Sequence, residues 1–145
     1  MAFELTVVAK PSVEWYSYLK SLSVRERIAF KLLSRISDVQ LFNEYKSTHL
    51  FVEATAYDWF NFPPLEAMAF GIPVVYAFAI RDVGIWRDAA FVCSFDPLSI
   101  AGAIEKSLVD TQSRELHIKA GYLLCKRTTM KQTAAAITDI VREAM

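Results

Sequence analysis

Two carboxylates lie on either side of an aromatic, proline-containing segment near the middle of the chain. Asp58 follows an apolar run, and Glu66 comes just after Pro63 and Pro64, with residues 59–65 between the two acids. Proline is favourable at the start of a helix because its missing N–H would be unpaired there. We therefore expect a helix over 64–70 with Glu66 in its first turn, where the helix dipole stabilises a carboxylate that still accepts hydrogen bonds from hydroxyl groups. A loop folded over this helix start would bring Asp58 and Glu66 to one pocket.

Strands and helices alternate along the chain, which places both acids in an α/β fold. Apolar and β-branched runs predict strands at 3–9, 27–33, 49–54, 73–78 and 89–94. Helices are predicted at 12–22, 37–45, 64–70, 97–109, 112–125 and 129–143. This alternation is typical of parallel βαβ units, so we predict a Rossmann-like parallel sheet flanked by helices, with residues 1–145 as a single domain. Such sheets bind ligands outside the carboxyl ends of their strands, which here are 10–11, 34–37, 55–64 and 78–84.

Capping residues mark several of the predicted helix ends. Gly71 is expected to end the helix over 64–70 in a left-handed conformation. Asp96 before Pro97 is typical of a helix start, and Thr129 with Gln132 predicts a capping box for the last helix. In the helix before it, a core-facing side is predicted from Leu116, Ala120, Leu123, Leu124 and Cys125.

The composition excludes several classes of protein. With 54% hydrophobic and 22% charged residues, the chain can bury a core and is not a disordered protein. Sixteen basic residues balance sixteen acidic ones, so no basic surface is expected to bind nucleic acid or an acidic membrane. The four glycines form neither a GxGxxG fingerprint nor a Walker loop, which argues against dinucleotide dehydrogenases and P-loop NTPases.

The sequence predicts a cytoplasmic protein without a membrane span or a metal site. Its longest apolar stretches, such as 72–80, are shorter than the ~20 residues that a spanning helix needs, and the N-terminus has no secretory signal pattern. Cys93 and Cys125 have no CxxC spacing, so we predict two buried, reduced thiols. His49 and His117 lack the spacing of metal ligands.

The segment around Glu66 resembles a known family. Residues 63–75 read Pro-Pro-Leu-Glu-Ala-Met-Ala-Phe-Gly-Ile-Pro-Val-Val. This is similar, nearly residue for residue, to a motif of the retaining glycosyltransferases of GT-B architecture, the group 1 family that includes relatives of glycogen and sucrose synthase. The resemblance extends over most of the chain and includes 27–45, 87–90 and 96–97. It implies one half of a GT-B fold, the C-terminal half that binds a nucleotide-sugar.

The resemblance also implies roles for individual residues. Glu66 corresponds to the acid that binds the ribose hydroxyls of the donor. Asp58 corresponds to the acid near the donor sugar and diphosphate, and it is the predicted catalytic residue. The loop at Ile36 is expected to face the nucleobase. Further donor contacts are implied at Asn61, Pro64, Leu65 and Arg81. The nucleotide-sugar is a substrate, and neither a metal nor another cofactor is expected.

The chain departs from the family motif at positions that would approach the donor. Asp58 stands where the family has Glu, and its side chain is one methylene shorter. Trp59 and Asn61 replace two glycines, and Arg81 with the residue before it replaces a Gly-Gly pair that donates N–H groups to phosphate. Arg81 and Lys10 are candidates for stabilising the charge on a departing diphosphate. The alternative is that these bulky side chains close the pocket.

The first strand and helix of the family's C-terminal half have no counterpart in the sequence, and neither does the acceptor-binding domain. The strand over 3–9 resembles the family's second strand. In a sheet of order 3-2-1-4-5-6 the first strand lies in the middle. Its absence is expected to leave a central gap or to force the neighbouring strands into a new pairing. We expect one of three arrangements: the chain is a fragment or split half, a partner chain or a second copy supplies the missing element, or the sheet is rebuilt.

Two functions from different classes are consistent with these observations. The first is the donor-binding half of a retaining glycosyltransferase of hexosyltransferase type, which moves a sugar from a nucleotide-sugar to an unidentified acceptor. The alternative is a non-catalytic glycosyltransferase-like domain that acts in assembly or protein interaction. In that case Glu66 is only a charge near a helix start and Asp58 a turn residue. The aromatic residues of the loop are then anchors of the loop or contacts of a partner, namely Trp59, Phe60 and Phe62. A flavodoxin-like or response-regulator-like domain fits the strand count but requires an acidic cluster that is absent after the first strand.

Overall fold

A computed structural model describes residues 3–55, 61–78 and 84–143. The strands are β1 (Glu4–Val8), β2 (Ala29–Leu33), β3 (Phe51–Ala54), β4 (Val74–Phe78) and β5 (Phe91–Ser94). The helices are α1 (Val13–Glu26), α2 (Asp38–Ser47), α3 (Phe62–Ala69), α4 (Pro97–Val109), α5 (Thr111–Arg127) and α6 (Met130–Glu143), with a 3-10 turn at Gly84–Trp86. The alternating order confirms the predicted α/β class. None of the described helices has the length and apolar character needed to cross a bilayer.

The chain divides into two compact units, residues 1–44 and 45–145. In the first unit β1 and β2 pair in parallel, and α1 connects them. In the second unit β4 lies between β3 and β5, and all three strands are parallel. The assignment of residues 1–145 to a single domain stays a prediction.

The strands form two sheets rather than one continuous sheet. One has the order β1-β2 and the other β3-β4-β5, and no described strand of one sheet pairs with a strand of the other. Within each sheet all paired strands are parallel, and helices connect them. The predicted Rossmann-like parallel fold is therefore confirmed, and the described strands form two separate sheets.

The core of the second unit is built around β4. Val74, Val75 and Ala77 are fully buried, a succession that is typical of a parallel strand covered on both faces. Both α3 and α4 pack against this strand. The ring of Tyr76 stacks on Trp86 with 5.0 Å between the ring centroids, which connects β4 to the turn that follows it.

Helix α5 packs on α3 through Gly121, and the predicted core-facing side is wrong at two of its leucines. Leu116 and Leu123 are 59% and 55% exposed, whereas Gly121 is buried against Met68. Because glycine has no side chain, the two helices approach closely along a line that an apolar pattern does not reveal. Leu124 and Cys125, also predicted on this side, are partly buried.

The predicted helix caps are confirmed. Gly71 has a φ of 73°, and its N–H donates to the carbonyl of Met68, which closes the last turn of α3. The Asp96 carboxylate accepts a hydrogen bond from the Ser99 N–H at 2.9 Å and caps α4. The capping box at the start of α6 is also present.

The two cysteines are free thiols, but they are less buried than predicted. Cys93 and Cys125 are both partly exposed. Burial nevertheless raises the pKa of both thiols, and the charge of Asp96 raises that of Cys93 further. The thiols are therefore weakly ionised at neutral pH.

Candidate functional site

Helix α3 begins earlier than predicted, which changes the position of Glu66. The helix starts at Phe62 rather than Pro64, and Asn61 occupies the capping position with extended backbone and no capping hydrogen bond from its side chain. No acidic residue lies in the first turn, so the predicted first-turn position of Glu66 is wrong. The effect of a helix dipole falls off within the first turn. The carboxylate of Glu66 must therefore be held by another interaction.

That interaction is a hydrogen bond from a buried tyrosine. The hydroxyl of Tyr45, near the C-terminal end of α2, donates to Oε2 of Glu66 at 2.9 Å. The same hydroxyl lies 3.5 Å from the carbonyl oxygen of Pro63, in the first turn of α3. Glu66 itself is only partly buried.

Two aromatic rings hold the Tyr45 side chain. Its ring stacks on Phe70 with 5.3 Å between centroids and makes a tilted contact with Phe51 at 6.3 Å. Tyr45 is only 6% exposed. Because its neighbours come from β3 and from the end of α3, the phenol cannot change rotamer without disturbing both elements.

A second carboxylate lies close enough to influence the same tyrosine. Glu53 is buried in β3 and accepts a hydrogen bond from the hydroxyl of Thr55. Burial raises the pKa of Tyr45 well above its usual range, and the hydrogen bond and negative charge of Glu66, then the charge of Glu53, raise it further. The phenol is therefore protonated at every pH near neutrality and acts as a hydrogen-bond donor.

Sequence reasoning identified Glu66 but not the two residues associated with it. Tyr45 lies at the end of a predicted helix and Glu53 in a predicted strand, and neither is among the predicted site residues. A charged residue within an apolar strand, close to its carboxyl end, is the signal that would have indicated Glu53. The contact between Tyr45 and Glu66 joins distant parts of the sequence, so local pattern does not predict it.

Comparison with solved structures identifies the fold. Neither a protein-family model nor a curated protein matches the sequence. Sucrose-phosphate synthase from Thermosynechococcus elongatus is similar with a TM-score of 0.76 and 18% identity, over 97% of this chain and 38% of that one. The C-terminal domain of LpcC, a group 1 glycosyltransferase from Francisella tularensis, has a TM-score of 0.70 and 19% identity, over 85% of this chain and 69% of that one. The chain has the fold of a GT-B C-terminal domain.

A third GT-B structure contains a nucleotide. Anabaena HepE, solved in complex with UDP, has a TM-score of 0.69 and 18% identity, over 94% of this chain and 41% of that one. At such identities the similarity establishes the fold, and the resemblance seen in the sequence is confirmed at that level. The chain spans about two fifths of the length of the synthase and HepE chains.

The other predicted site residues lie in different environments. Asn61, Pro64 and Leu65 are buried around the start of α3, so the side chains of the latter two contribute to the core. The Leu65 carbonyl accepts a hydrogen bond from Sγ of Cys125 at 3.2 Å. Contacts of Pro64 and Leu65 with a ligand would therefore have to use their backbone.

Ile36 belongs to the first unit, in the loop between β2 and α2, and is partly buried. Arg35 before it has a φ of 55°, and a capping box between Ser37 and Gln40 begins the helix that follows. The loop thus has a defined conformation within its own unit. Asp58 and Arg81 lie outside the described residues, and their roles stay predictions.

Within the described ranges, no three His, Cys, Asp or Glu side chains converge as a metal site would require. Lys10, a candidate for binding the diphosphate, is exposed just after β1. Of the predicted donor-binding site, the described residues thus include helix α3 and the carboxylate of Glu66, which the Tyr45 hydroxyl orients.

Proposed function

We propose that the chain is the donor-binding half of a retaining glycosyltransferase, which moves a sugar from a nucleotide-sugar to an acceptor. One observation carries the proposal: the carboxylate of the partly exposed Glu66, in the middle of the helix of the GT-B motif, is held by the buried hydroxyl of Tyr45. A carboxylate fixed in this way accepts hydrogen bonds from the ribose hydroxyls of the donor. The complex of HepE with UDP supports a nucleotide as the ligand class.

In this proposal the position of α3 determines where the donor binds. The helix follows β3, and ligands of open α/β sheets bind outside the carboxyl ends of the strands. Glu66 then holds the ribose, while Asp58 is the proposed catalytic residue beside the sugar. The other proposed donor contacts are Ile36, Asn61, Pro64, Leu65 and Arg81.

Transfer also requires an acceptor site and stabilisation of the departing diphosphate. We propose that a further domain, a partner chain or a second copy supplies the acceptor site, and that Arg81 and Lys10 contribute positive charge. The donor is a substrate in this reaction, and the proposal includes no metal. The free thiols of Cys93 and Cys125 are consistent with the predicted cytoplasmic location.

The proposal predicts nucleotide binding that depends on Glu66. The chain is titrated with UDP, GDP, ADP and their sugar conjugates, and binding is followed by thermal shift and calorimetry. At 100 times its Kd, a ligand adds about 2.7 kcal/mol to the free energy of unfolding, which raises Tm by several degrees. Glu66→Gln removes a charged acceptor, so the Kd of the bound nucleotide should rise roughly 10- to 100-fold.

Glu105→Gln is the matched control, because Glu105 is an exposed residue of α4. It removes the same charge without changing α3, so the Kd should stay at its wild-type value. Equal losses in both variants would indicate a general electrostatic effect and contradict the ribose contact. A folded chain that binds none of the nucleotides would overturn the proposed function.

A second candidate function, assembly with another polypeptide, is favoured by the first unit. No described residue from 3 to 44 is buried, and several of its large apolar side chains are exposed, among them Phe3, Leu5, Val13 and Tyr18. Exposed apolar surface of this kind is typical of contact sites. Absence of nucleotide binding together with self-association in sedimentation velocity would favour this candidate.

A further inference from the structure

The hydroxyl of Tyr45 is buried where a purely apolar side chain would fill the same space. Its ring already packs on Phe51 and Phe70, so a phenylalanine would preserve these contacts. The hydroxyl adds two polar contacts, to Oε2 of Glu66 and to the Pro63 carbonyl. Burying a polar group is unfavourable unless it is hydrogen-bonded. The geometry therefore gives this hydroxyl a role at the Glu66 carboxylate.

We propose that Tyr45 is a positioning residue that orients Glu66 for recognition of a ribose diol. This inference rests on the proposed function. Within the described part of the chain, the side-chain hydrogen bond to Glu66 reaches Oε2, which leaves Oε1 for a ligand hydroxyl. Tyr45 thereby determines which oxygen, and which orientation of the carboxylate, the ligand meets.

Glu66 needs such a partner because of its place on the helix. It lies beyond the first turn of α3 and is partly exposed, so an isolated side chain there would sample several rotamers. Fixing a glutamate side chain costs conformational entropy. If Tyr45 fixes the carboxylate in the folded chain, this cost does not reduce the affinity for the ligand.

The hydroxyl of Tyr45 is suited to orienting Glu66 because it does not titrate near neutral pH. Burial and the neighbouring carboxylates keep the phenol protonated. The hydroxyl therefore donates to Glu66 throughout the neutral range, and the carboxylate keeps its acceptor role toward the ligand. Hydrogen bonds to charged groups are about twice as strong as neutral ones, which favours this single arrangement.

The consequence for specificity is a preference for ribose over 2′-deoxyribose. A site built to hydrogen-bond a hydroxyl rejects an analogue that lacks it, because the polar group of the site is then unpaired. A fixed carboxylate enforces this penalty, whereas a mobile one can turn toward solvent. Removal of the Tyr45 hydroxyl should therefore reduce the ratio of the two affinities as well as the affinity for the ribonucleotide.

The test measures the Kd of UDP, GDP and ADP, each beside its 2′-deoxy counterpart, in the wild type, Tyr45→Phe and Tyr122→Phe. For the nucleotide that binds, Tyr45→Phe should raise the ribonucleotide Kd about 5- to 10-fold, the effect of one hydrogen bond. The 2′-deoxy Kd should rise less, so the discrimination ratio falls. Tyr122→Phe removes a phenol hydroxyl from α5, beside Gly71, and should leave both constants unchanged.

A double-variant cycle separates positioning from a structural role. In a Glu66→Ala background Tyr45→Phe should change no Kd further, because the group it orients is gone. An additional loss there, or a Tyr45→Phe variant with wild-type Kd and discrimination, would overturn this inference and leave the proposed function intact. Absence of nucleotide binding by the wild-type chain would overturn the proposed function, and this inference with it.

Discussion

Tyr45 connects the chemistry of the candidate site to the core of the second unit. Its ring is packed between Phe51 and Phe70, while its hydroxyl reaches Glu66 on α3. The carboxylate of Glu53 acts on the same phenol through its charge. A buried phenol near two acids is favourable only when it keeps its proton. This arrangement therefore makes the stability of the folded chain depend on pH.

The raised pKa of Tyr45 predicts a loss of stability in alkaline solution. In the unfolded chain the phenol loses its proton near pH 10, whereas the folded chain retains it to a higher pH. The contribution of Tyr45 is fully present below pH 10 and is lost as the pH rises toward the folded pKa. Urea midpoints measured between pH 8 and 11.5 should fall more steeply for the wild type than for Tyr45→Phe.

Tyr122→Phe serves as the control for this measurement, since it removes a phenol hydroxyl from an exposed residue of α5. Its urea midpoints should follow the wild-type slope. Identical slopes for the wild type and both variants would show that Tyr45 ionises alike in the folded and unfolded chains.

At the scale of elements, the position of α3 depends on contacts on two sides. β3 and β4 lie beside it in the second unit, and α5 packs on it through Gly121. A Cβ at Gly121 would lie 2.9 Å from Cγ and 3.1 Å from Cβ of Met68. These atoms are near the base of a buried side chain, so they cannot move aside without shifting α3.

Gly121→Ala is therefore expected to destabilise the chain by about 1–3 kcal/mol, the usual effect of overpacking a core. Gly102→Ala is the matched control, because no atom lies within 4 Å of a Cβ built at this position in α4. Replacing a helical glycine with alanine in open space should stabilise the chain by about 0.5–1 kcal/mol. Urea unfolding of both variants measures the difference, and effects of the same sign would contradict the packing described for Gly121.

At the scale of the whole molecule, the two units differ in how much they bury. Every buried residue among those described lies in 45–145, and none lies in 3–44. The first unit has a sheet of two strands, and two-stranded sheets are marginally stable in water. We therefore expect the two units to differ in local stability.

Hydrogen exchange should show this difference directly. Amides of β1 and β2 are expected to exchange at least tenfold faster than those of β4, because few buried contacts oppose local opening of the first unit. Mass spectrometry of peptides covering 4–8, 29–33 and 74–78 provides the measurement. Equal protection of the three peptides would show that the units open cooperatively.

Much of the fold was predictable because its signals are local. Alternating strands and helices, the cap at Asp96 and the left-handed Gly71 depend on the few residues around each position. The close contact at Gly121 was not predictable, because a glycine contributes nothing to a hydrophobic pattern. The predicted start of α3 at Pro64 differs from the observed start at Phe62, since the two prolines are compatible with more than one helix start.

By itself the sequence determined the α/β class, the likeness to the GT-B motif and the choice of Glu66, because residue type and spacing express these properties. Only the tertiary structure decided that Tyr45 donates to Glu66, that Glu53 acts on the same phenol, and that the strands form two sheets. The physical reason is the separation in sequence over which each interaction acts. Capping and periodicity act over a few residues, whereas the hydrogen bond from Tyr45 to Glu66 joins residues 21 positions apart and exists only in the folded chain.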